Sequence, residues 1–282
     1  MNRWLTFFEE RFPILWIAIL VCGISLSGLT FGKGEFHLLS FVLSFIGIVF
    51  YFAMMRLIKE VRDIEKDKIA HPDRPLARGL ISKKEAVQTI DLLILVFIAF
   101  GLIVWILLQA TAGLAFLVIV AYLWLAHKGF YLRKKIERHP LIKGVLYLAG
   151  IFPVACFAIA VANPSLSFSP QSWAFAVFLF GALACYDICT NLDPHAHPIL
   201  GTYVQYFGFH RVYYMAAAVL ILSGIESIFL GVAPLAIPAE VLVLAGLSTL
   251  FFQPALFRIP DLMSGISLMV HAWALAIMAA FA

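Results

Sequence analysis

The sequence predicts an all-α, polytopic membrane protein with nine transmembrane helices. Of its 282 residues, 63% are hydrophobic and only 13% are charged, whereas a soluble domain carries about 25% charged residues. The mean hydropathy is +0.99. Apolar runs recur along the whole chain, each near the ~20 residues that a helix needs to cross a bilayer. These observations exclude the soluble fold classes.

Nine apolar runs provide the expected transmembrane segments. They lie at 13–31, 37–57, 88–108, 110–126, 141–162, 172–190, 212–232, 235–253 and 261–281. The boundary between the third and fourth runs is the least well defined, because almost no linker separates them. The start of the eighth is also poorly defined, since Pro234 and Pro238 lie there.

The charge distribution predicts the orientation. Nine spans place the N-terminus and every second loop on one side of the membrane, and that side holds every Lys and Arg except Lys33. By the positive-inside rule this side faces the cytoplasm, and we expect a bacterial inner-membrane protein whose polar site opens there. The net charge of +4 then reflects topology and anionic lipid headgroups. The expected partner is the lipid bilayer, and no nucleic acid.

The most informative segment follows the second span, where charged residues share one helix face. Arg56, Glu60, Asp63 and Asp67 are spaced i, i+4, i+7 and i+11, which places them within a narrow arc. Four charges at the end of an apolar helix are costly unless they face water, a metal or a charged ligand. Carboxylates hold hard cations, and Arg and Lys suit phosphate. The segment therefore predicts magnesium and phosphate binding at a membrane surface.

A second polar segment leaves the sixth span on the same side. Asp187 and Asn191 are one helical turn apart, and Pro194 is expected to end the helix. Asp193 then lies in the loop beyond, with two histidines that are more typical of a loop surface than of a metal site. The chain thus offers two helix ends with oxygen ligands, about 120 residues apart, that open toward the same compartment.

These residues carry a resemblance to a known family. Asp63-x-x-x-Asp67, followed by Pro72-Asp73-Arg74-Pro75, resembles the first aspartate-rich motif of the UbiA superfamily of intramembrane prenyltransferases. The second acidic segment falls after the sixth span, where that superfamily has its second motif. Lys59 and Glu60 stand where the first motif usually has Asn and Asp. The pattern Arg56-x-x-x-Glu60 is similar to an Arg-x-x-x-Glu arrangement found before the first Asp in a divergent branch of the superfamily. The resemblance implies one domain, 1–282, with nine helices around a central cavity.

The resemblance also implies an activity and a set of site residues. The activity is Mg²⁺-assisted transfer of a prenyl group, through a carbocation, from an allylic prenyl diphosphate to an aromatic or lipid acceptor. The implied catalytic carboxylates are Asp63, Asp67, Asp187 and Asp193. The implied magnesium ligands are Glu60, Asp63 and Asp67 at one site and Asp187, Asn191 and Asp193 at the other. The implied diphosphate-binding residues are Arg56, Lys59, Arg62, Arg74, Lys128 and Arg133. Aromatic faces suited to a carbocation are Tyr131, Tyr147, Tyr186 and Tyr203.

Two other functions stay open at the level of sequence. A membrane terpene cyclase of the same family would let the substrate's own double bond capture the cation. A transporter is the less favoured alternative, because transporters carry polar groups through the depth of the membrane. Here the charges lie at helix ends on one side.

Two isolated polar residues lie within the later spans. His271 is expected to make a helix–helix hydrogen bond. Glu240 is expected near the far face, where interfacial water would solvate its carboxylate. Neither residue is predicted to belong to the functional site.

Overall fold

The computed structural model describes residues 3–32, 37–132 and 139–281, and within those ranges it contains helices and no strand. The α-helices are α1 Arg3–Arg11, α2 Ile14–Phe31, α3 Leu38–Ala70, α4 Lys83–Leu107, α5 Ala110–His127, α6 Pro140–Leu148, α7 Ile151–Ala160, α8 Pro170–Cys189, α9 Tyr203–Phe207, α10 Phe209–Phe229, α11 Ala233–Thr249 and α12 Arg258–Ala280. The predicted all-α class is confirmed.

Eight helical segments of the described residues are long and apolar enough to cross a membrane, when α6 and α7 are taken together as Pro140–Ala160. The protein is therefore an integral membrane protein. The eighth predicted span corresponds to α11, which is apolar but only 17 residues long. The predicted count of nine crossings thus depends on this shorter helix.

The long helices pack in a closed ring. Each of α2, α3, α4, α5, α7, α8, α10, α11 and α12 contacts the next, and α12 packs back against α2. At one end of the ring α6 packs against α8, and the short turn Pro198–Leu200 that follows α8 packs against α3. This arrangement brings together the helix ends that carry the two acidic segments.

Helix α3 is longer than the predicted span 37–57, because it continues without a break to Ala70. No Gly or Pro interrupts the chain between Gly47 and Pro72, and the last bond of the helix runs from the His71 amide to the Asp67 carbonyl. A helix of 33 residues is about 50 Å long, well beyond the ~30 Å hydrocarbon core. Its charged end therefore projects past the apolar part of the bundle.

The fifth predicted span, 141–162, is broken between α6 and α7 at Ala149 and Gly150. Pro153 has no N–H to bond the Ala149 carbonyl, which weakens the helix at this turn. Gly150 lets the rings of Tyr51 and Tyr122 approach the backbone where a side chain would clash. Both residues of the break keep helical dihedral angles, so α6 and α7 still form one candidate span, Pro140–Ala160.

We expect Gly28→Ala to destabilise the fold by about 1–3 kcal/mol, because the added methyl group would overpack the α2–α7 contact. Its Cβ would lie 2.7 Å from the carbonyl carbon and oxygen of Ala158. The measurement is the thermal unfolding midpoint in detergent. Gly265→Ala is the matched control, since its Cβ would meet nothing closer than 3.7 Å and alanine favours a helix. Equal midpoints for the two variants would contradict this packing.

Candidate active site at the charged end of the bundle

Glu60 is the buried centre of the first acidic segment, with only 3% of its surface exposed. Its Oε1 accepts two hydrogen bonds from Arg11 of α1, at 2.9 Å from Nε and 2.7 Å from Nη2. Arg56, one turn earlier on α3, is 3.1 Å from the same oxygen. Glu60 Oε2 and Arg56 Nε are buried and have no hydrogen-bond partner within the described ranges. One acceptor and one cationic donor are thus left for a ligand.

Asp67 lies two turns further along α3 and is equally buried. Arg74, in the turn after the helix, donates to its Oδ1 at 2.7 Å. His71 begins that turn, and its pKa is lowered by partial burial and by the positive charge of Arg74. His71 is therefore neutral at pH 7 and leaves Arg74 as the cation beside Asp67.

The N-terminal helix α1 is fastened to the same turn. Arg78 donates to both carboxylate oxygens of Glu10, at 3.0 Å and 2.8 Å, and to the Asp73 carbonyl at 2.7 Å. The hydrogen bonds from Arg78 lower the pKa of Glu10. This pairing holds α1 where Arg11 reaches Glu60, a contribution that sequence spacing could not reveal.

Asp63 is turned toward α6. Its neighbour Arg62 donates to both carboxylate oxygens, at 3.0 Å and 2.7 Å, and Lys143 is 3.5 Å from Oδ1. The Arg62 guanidinium also stacks on Tyr147, 4.3 Å from the ring centre. Asp63 is therefore a carboxylate bound on two sides by cations, and one face of Tyr147 is already occupied.

The second acidic segment contributes one inward carboxylate. The Tyr203 hydroxyl donates to Asp187 Oδ2 at 3.1 Å. Asn191 donates its side-chain amide to the Asp187 main-chain carbonyl, and Asp193 Oδ1 accepts the main-chain N–H of His195. The Asn191 and Asp193 side chains thus stabilise the helix end and the loop, while Asp187 faces Tyr203.

Helix α6 lies between the two segments. Lys143 contacts Asp63, and a Cβ on the adjacent Gly144 would lie 3.8 Å from Asp187 Oδ2 and against the Tyr203 hydroxyl. Neighbouring residues of one helix therefore touch the carboxylates of both segments. The two acidic helix ends share one end of the bundle and lie next to adjacent residues of α6.

Among the described residues, the proposed diphosphate ligands Lys128 and Lys59 form no ion pair with the carboxylates of this cluster. Lys128 is 3.9 Å from Asp91 of α4, on another side of α3. Lys59 makes no hydrogen bond or ion pair with the described part of the chain, and Arg133 lies outside the described residues. Their diphosphate-binding role stays a prediction.

The carboxylates of the two segments suit magnesium, because its usual protein sites use one or two carboxylates together with substrate phosphate and water. Within the described ranges no three His, Cys, Asp or Glu side chains form a closed metal cage. Glu60 nevertheless keeps one buried carboxylate oxygen without a partner. The first segment therefore suits a cation that a phosphate helps to hold.

A buried polar cluster in the later helices differs from the expectation for Glu240. This carboxylate is buried, not solvated at the far face, and its Oε1 is 3.0 Å from His271 Nε2. The same nitrogen is 3.1 Å from Ser223 Oγ, and Nδ1 is 2.7 Å from the Ser267 carbonyl. The predicted helix–helix hydrogen bond of His271 is present. The buried partner of Glu240 was missed because it lies 31 residues away in sequence.

Comparisons with known proteins agree with this architecture. Residues 20–275 match the model of the UbiA prenyltransferase family. No curated protein sequence matches the chain.

Solved structures match along nearly the whole length. A digeranylgeranylglyceryl phosphate synthase in membranes superposes with a TM-score of 0.62 at 18% identity, covering 98% of this chain and 99% of that one. A UbiA homologue from Archaeoglobus fulgidus bound to DMAPP and Mg²⁺ gives 0.61 at 15% identity, covering 96% and 99%. The same homologue bound to GPP and Mg²⁺ gives 0.62 at 16% identity, covering 97% and 99%. At these identities the likeness shows a shared fold.

We expect Arg11→Ala to destabilise the protein by about 2–5 kcal/mol, because it removes two hydrogen bonds from a buried carboxylate. Arg3→Ala is the matched control on the same helix, since Arg3 pairs with Glu85 at the surface and such pairs contribute little. Thermal unfolding in detergent measures both. If Arg11→Ala unfolds at the same temperature as Arg3→Ala, Glu60 does not depend on α1.

Proposed function

Because this chain belongs to the UbiA prenyltransferase family, we propose that it transfers a prenyl group from an allylic prenyl diphosphate to an aromatic or lipid acceptor. The observation that carries the proposal is the pairing of buried carboxylates with arginines at one end of an apolar bundle. A prenyl diphosphate has the matching form, with an anionic head and a long apolar tail. Its head would lie among the charged helix ends and its tail among the apolar side chains.

Arginine side chains are the proposed anchors of the diphosphate. Arg56 has a buried Nε that lacks a partner within the described residues, and a phosphate oxygen would satisfy it. Arg74 holds Asp67 through Nη1 and keeps further N–H groups for a second oxygen. Guanidinium–phosphate hydrogen bonds are strong because both partners are charged.

We assign Mg²⁺ as the cofactor, since the two A. fulgidus UbiA structures are described as bound to a prenyl diphosphate and Mg²⁺. Glu60, Asp63 and Asp67 of the first segment and Asp187 of the second would hold the ion, whereas the Asn191 and Asp193 side chains bond the helix end and the loop and would not reach it directly. When bound, the ion neutralises the diphosphate and makes it a better leaving group. Arg11 orients the Glu60 carboxylate, and the Tyr203 hydroxyl orients that of Asp187.

In the proposed reaction the carbon–oxygen bond to the diphosphate breaks, and its electron pair leaves with the diphosphate. The allylic cation is attacked by the acceptor, which then loses a proton. Tyr186 and Tyr203 are the proposed aromatic neighbours of the cation. Tyr147 is not assigned this role, because the Arg62 guanidinium stacks on its ring. Tyr131 is not assigned it because its side chain is exposed.

The membrane arrangement completes the proposal. We propose a single domain, 1–282, in a bacterial inner membrane, with the charged helix ends on the cytoplasmic side. The segregation of Lys and Arg to that side supports this orientation.

The direct test is diphosphate release by the purified protein in detergent with geranyl, farnesyl and geranylgeranyl diphosphate, with and without Mg²⁺ and acceptors. We expect Mg²⁺-dependent release that requires an aromatic or lipid acceptor. Release without an acceptor, yielding a cyclic hydrocarbon, would replace transfer with cyclisation. No release from folded protein in any combination would refute the proposal.

Asp67→Asn and Asp187→Asn should each slow diphosphate release by about a hundredfold or more, because each removes a negative charge that would hold the Mg²⁺ ion, and the ion would make diphosphate a better leaving group. The side chains keep their size, so folding should be retained and can be checked by thermal unfolding. Asp73→Asn is the matched control in the adjacent turn, because Asp73 is exposed and the substitution keeps the main-chain carbonyl that accepts from Arg78. Wild-type rates in both test variants would remove these carboxylates from the site.

A further inference from the structure

A cavity of about 290 Å³ lies on the other side of α3 from the candidate active site, between α3, α4, α5 and α6. Its polar lining consists of Arg62, Lys83, Lys128, Lys143 and the neutral groups His127 and Tyr147. Its apolar lining comes from the same helices and consists of Ile58, Val61, Val87 and Ala126. A cationic surface thus lies directly beside an apolar one.

The cavity and the buried carboxylates occupy opposite faces of α3. Ile58, Val61 and Arg62 face the cavity, whereas Ile58 and Asp67 are about 180° apart around the helix. Lys143 connects the two regions, because it lines the cavity and contacts Asp63. The cavity is therefore a separate site that shares one wall with the candidate active site.

The cations of this cavity are only loosely neutralised by protein groups. Arg62 is held by Asp63, but the three lysines contact carboxylates at longer distances. Lys143 is 3.5 Å from Asp63, Lys83 is 3.8 Å from Glu65, and Lys128 is 3.9 Å from Asp91. An ammonium group has three N–H donors, so each lysine keeps donors for an anion. Among the residues that the structure describes here, four cations against three carboxylates leave an excess positive charge.

The rim of the cavity is built from a strained turn. Gly129, Phe130 and Tyr131 follow α5 with φ values of 63°, 52° and 56°. A left-handed backbone conformation costs a residue with a side chain about 1–2 kcal/mol. Contacts with the surrounding structure must therefore stabilise the turn. The turn carries the chain away after Lys128 and leaves Lys128 and Gly129 at the cavity wall.

We infer that this cavity binds a phosphate monoester carried on an apolar chain. The lysines supply the charge and hydrogen bonds for the phosphate, and the apolar wall accommodates the first carbons of the chain. At about 290 Å³ the cavity fits a small headgroup and not a whole lipid. Such a ligand is either a membrane lipid or the prenyl acceptor itself, and the acceptor assignment rests on the proposed function.

The test measures binding of 1-oleoylglycerol phosphate to the full-length protein by native mass spectrometry, with neutral 1-oleoylglycerol as the matched ligand. We expect the phosphate ligand to bind at least tenfold more tightly. Lys83→Gln should weaken that binding about tenfold by removing one charged contact, and Val87→Trp should abolish it by filling the cavity. Lys84→Gln is the control, because Lys84 is exposed next to Lys83 and does not line the cavity.

A second step identifies the source of the ligand. Conversion of the bound monoester to a prenylated product, in the presence of a prenyl diphosphate and Mg²⁺, would identify the acceptor. Binding without conversion, with equal competition by two-chain phosphatidic acid, would identify a membrane lipid. Equal affinity for the neutral and phosphate ligands, or wild-type affinity in both Lys83→Gln and Val87→Trp, would overturn the inference. Absence of diphosphate release from every donor would refute the proposed function alone, because the binding comparison does not depend on turnover.

Discussion

The pairing of buried carboxylates with arginines on α3 is the constraint on which the rest of this structure depends. A carboxylate at the end of an apolar helix is unfavourable without a partner, and Glu60 and Asp67 obtain theirs from outside the helix. Arg11 requires that α1 dock against α3, and Arg74 requires that the chain turn back after His71. The placement of α1 and of the turn after α3 follows from these two requirements.

Much of the architecture could be predicted from sequence, because hydropathy and helix periodicity are local properties. The apolar runs located the membrane helices to within a few residues, except where α3 extends past its span and Pro153 breaks the fifth. The shared face of Glu60 and Asp67 follows from spacing alone. Their partners do not, since Arg11 is 49 residues from Glu60 and Tyr203 is 16 residues from Asp187. Such contacts depend on tertiary packing.

The charged end of the bundle is divided by α6 and by α3 into regions of different chemistry. Carboxylates with arginines lie on one face of α3, and lysines with an apolar wall lie on the other. Asp63, Arg62 and Lys143 belong to the boundary. A change of charge in one region therefore changes the electrostatic potential in the other.

The contact between His271 and Glu240 has a consequence for how the later helices assemble. The His271 ring contacts the Ser267 carbonyl through Nδ1 and the Glu240 carboxylate through Nε2, so its hydrogen bonds join α12 to α11. Hydrocarbon offers no substitute for either partner. Sliding α11 past α12 by one turn, about 5.4 Å, would strand both groups in an apolar medium. The pair thus fixes the register of α11 against α12 along the helix axes.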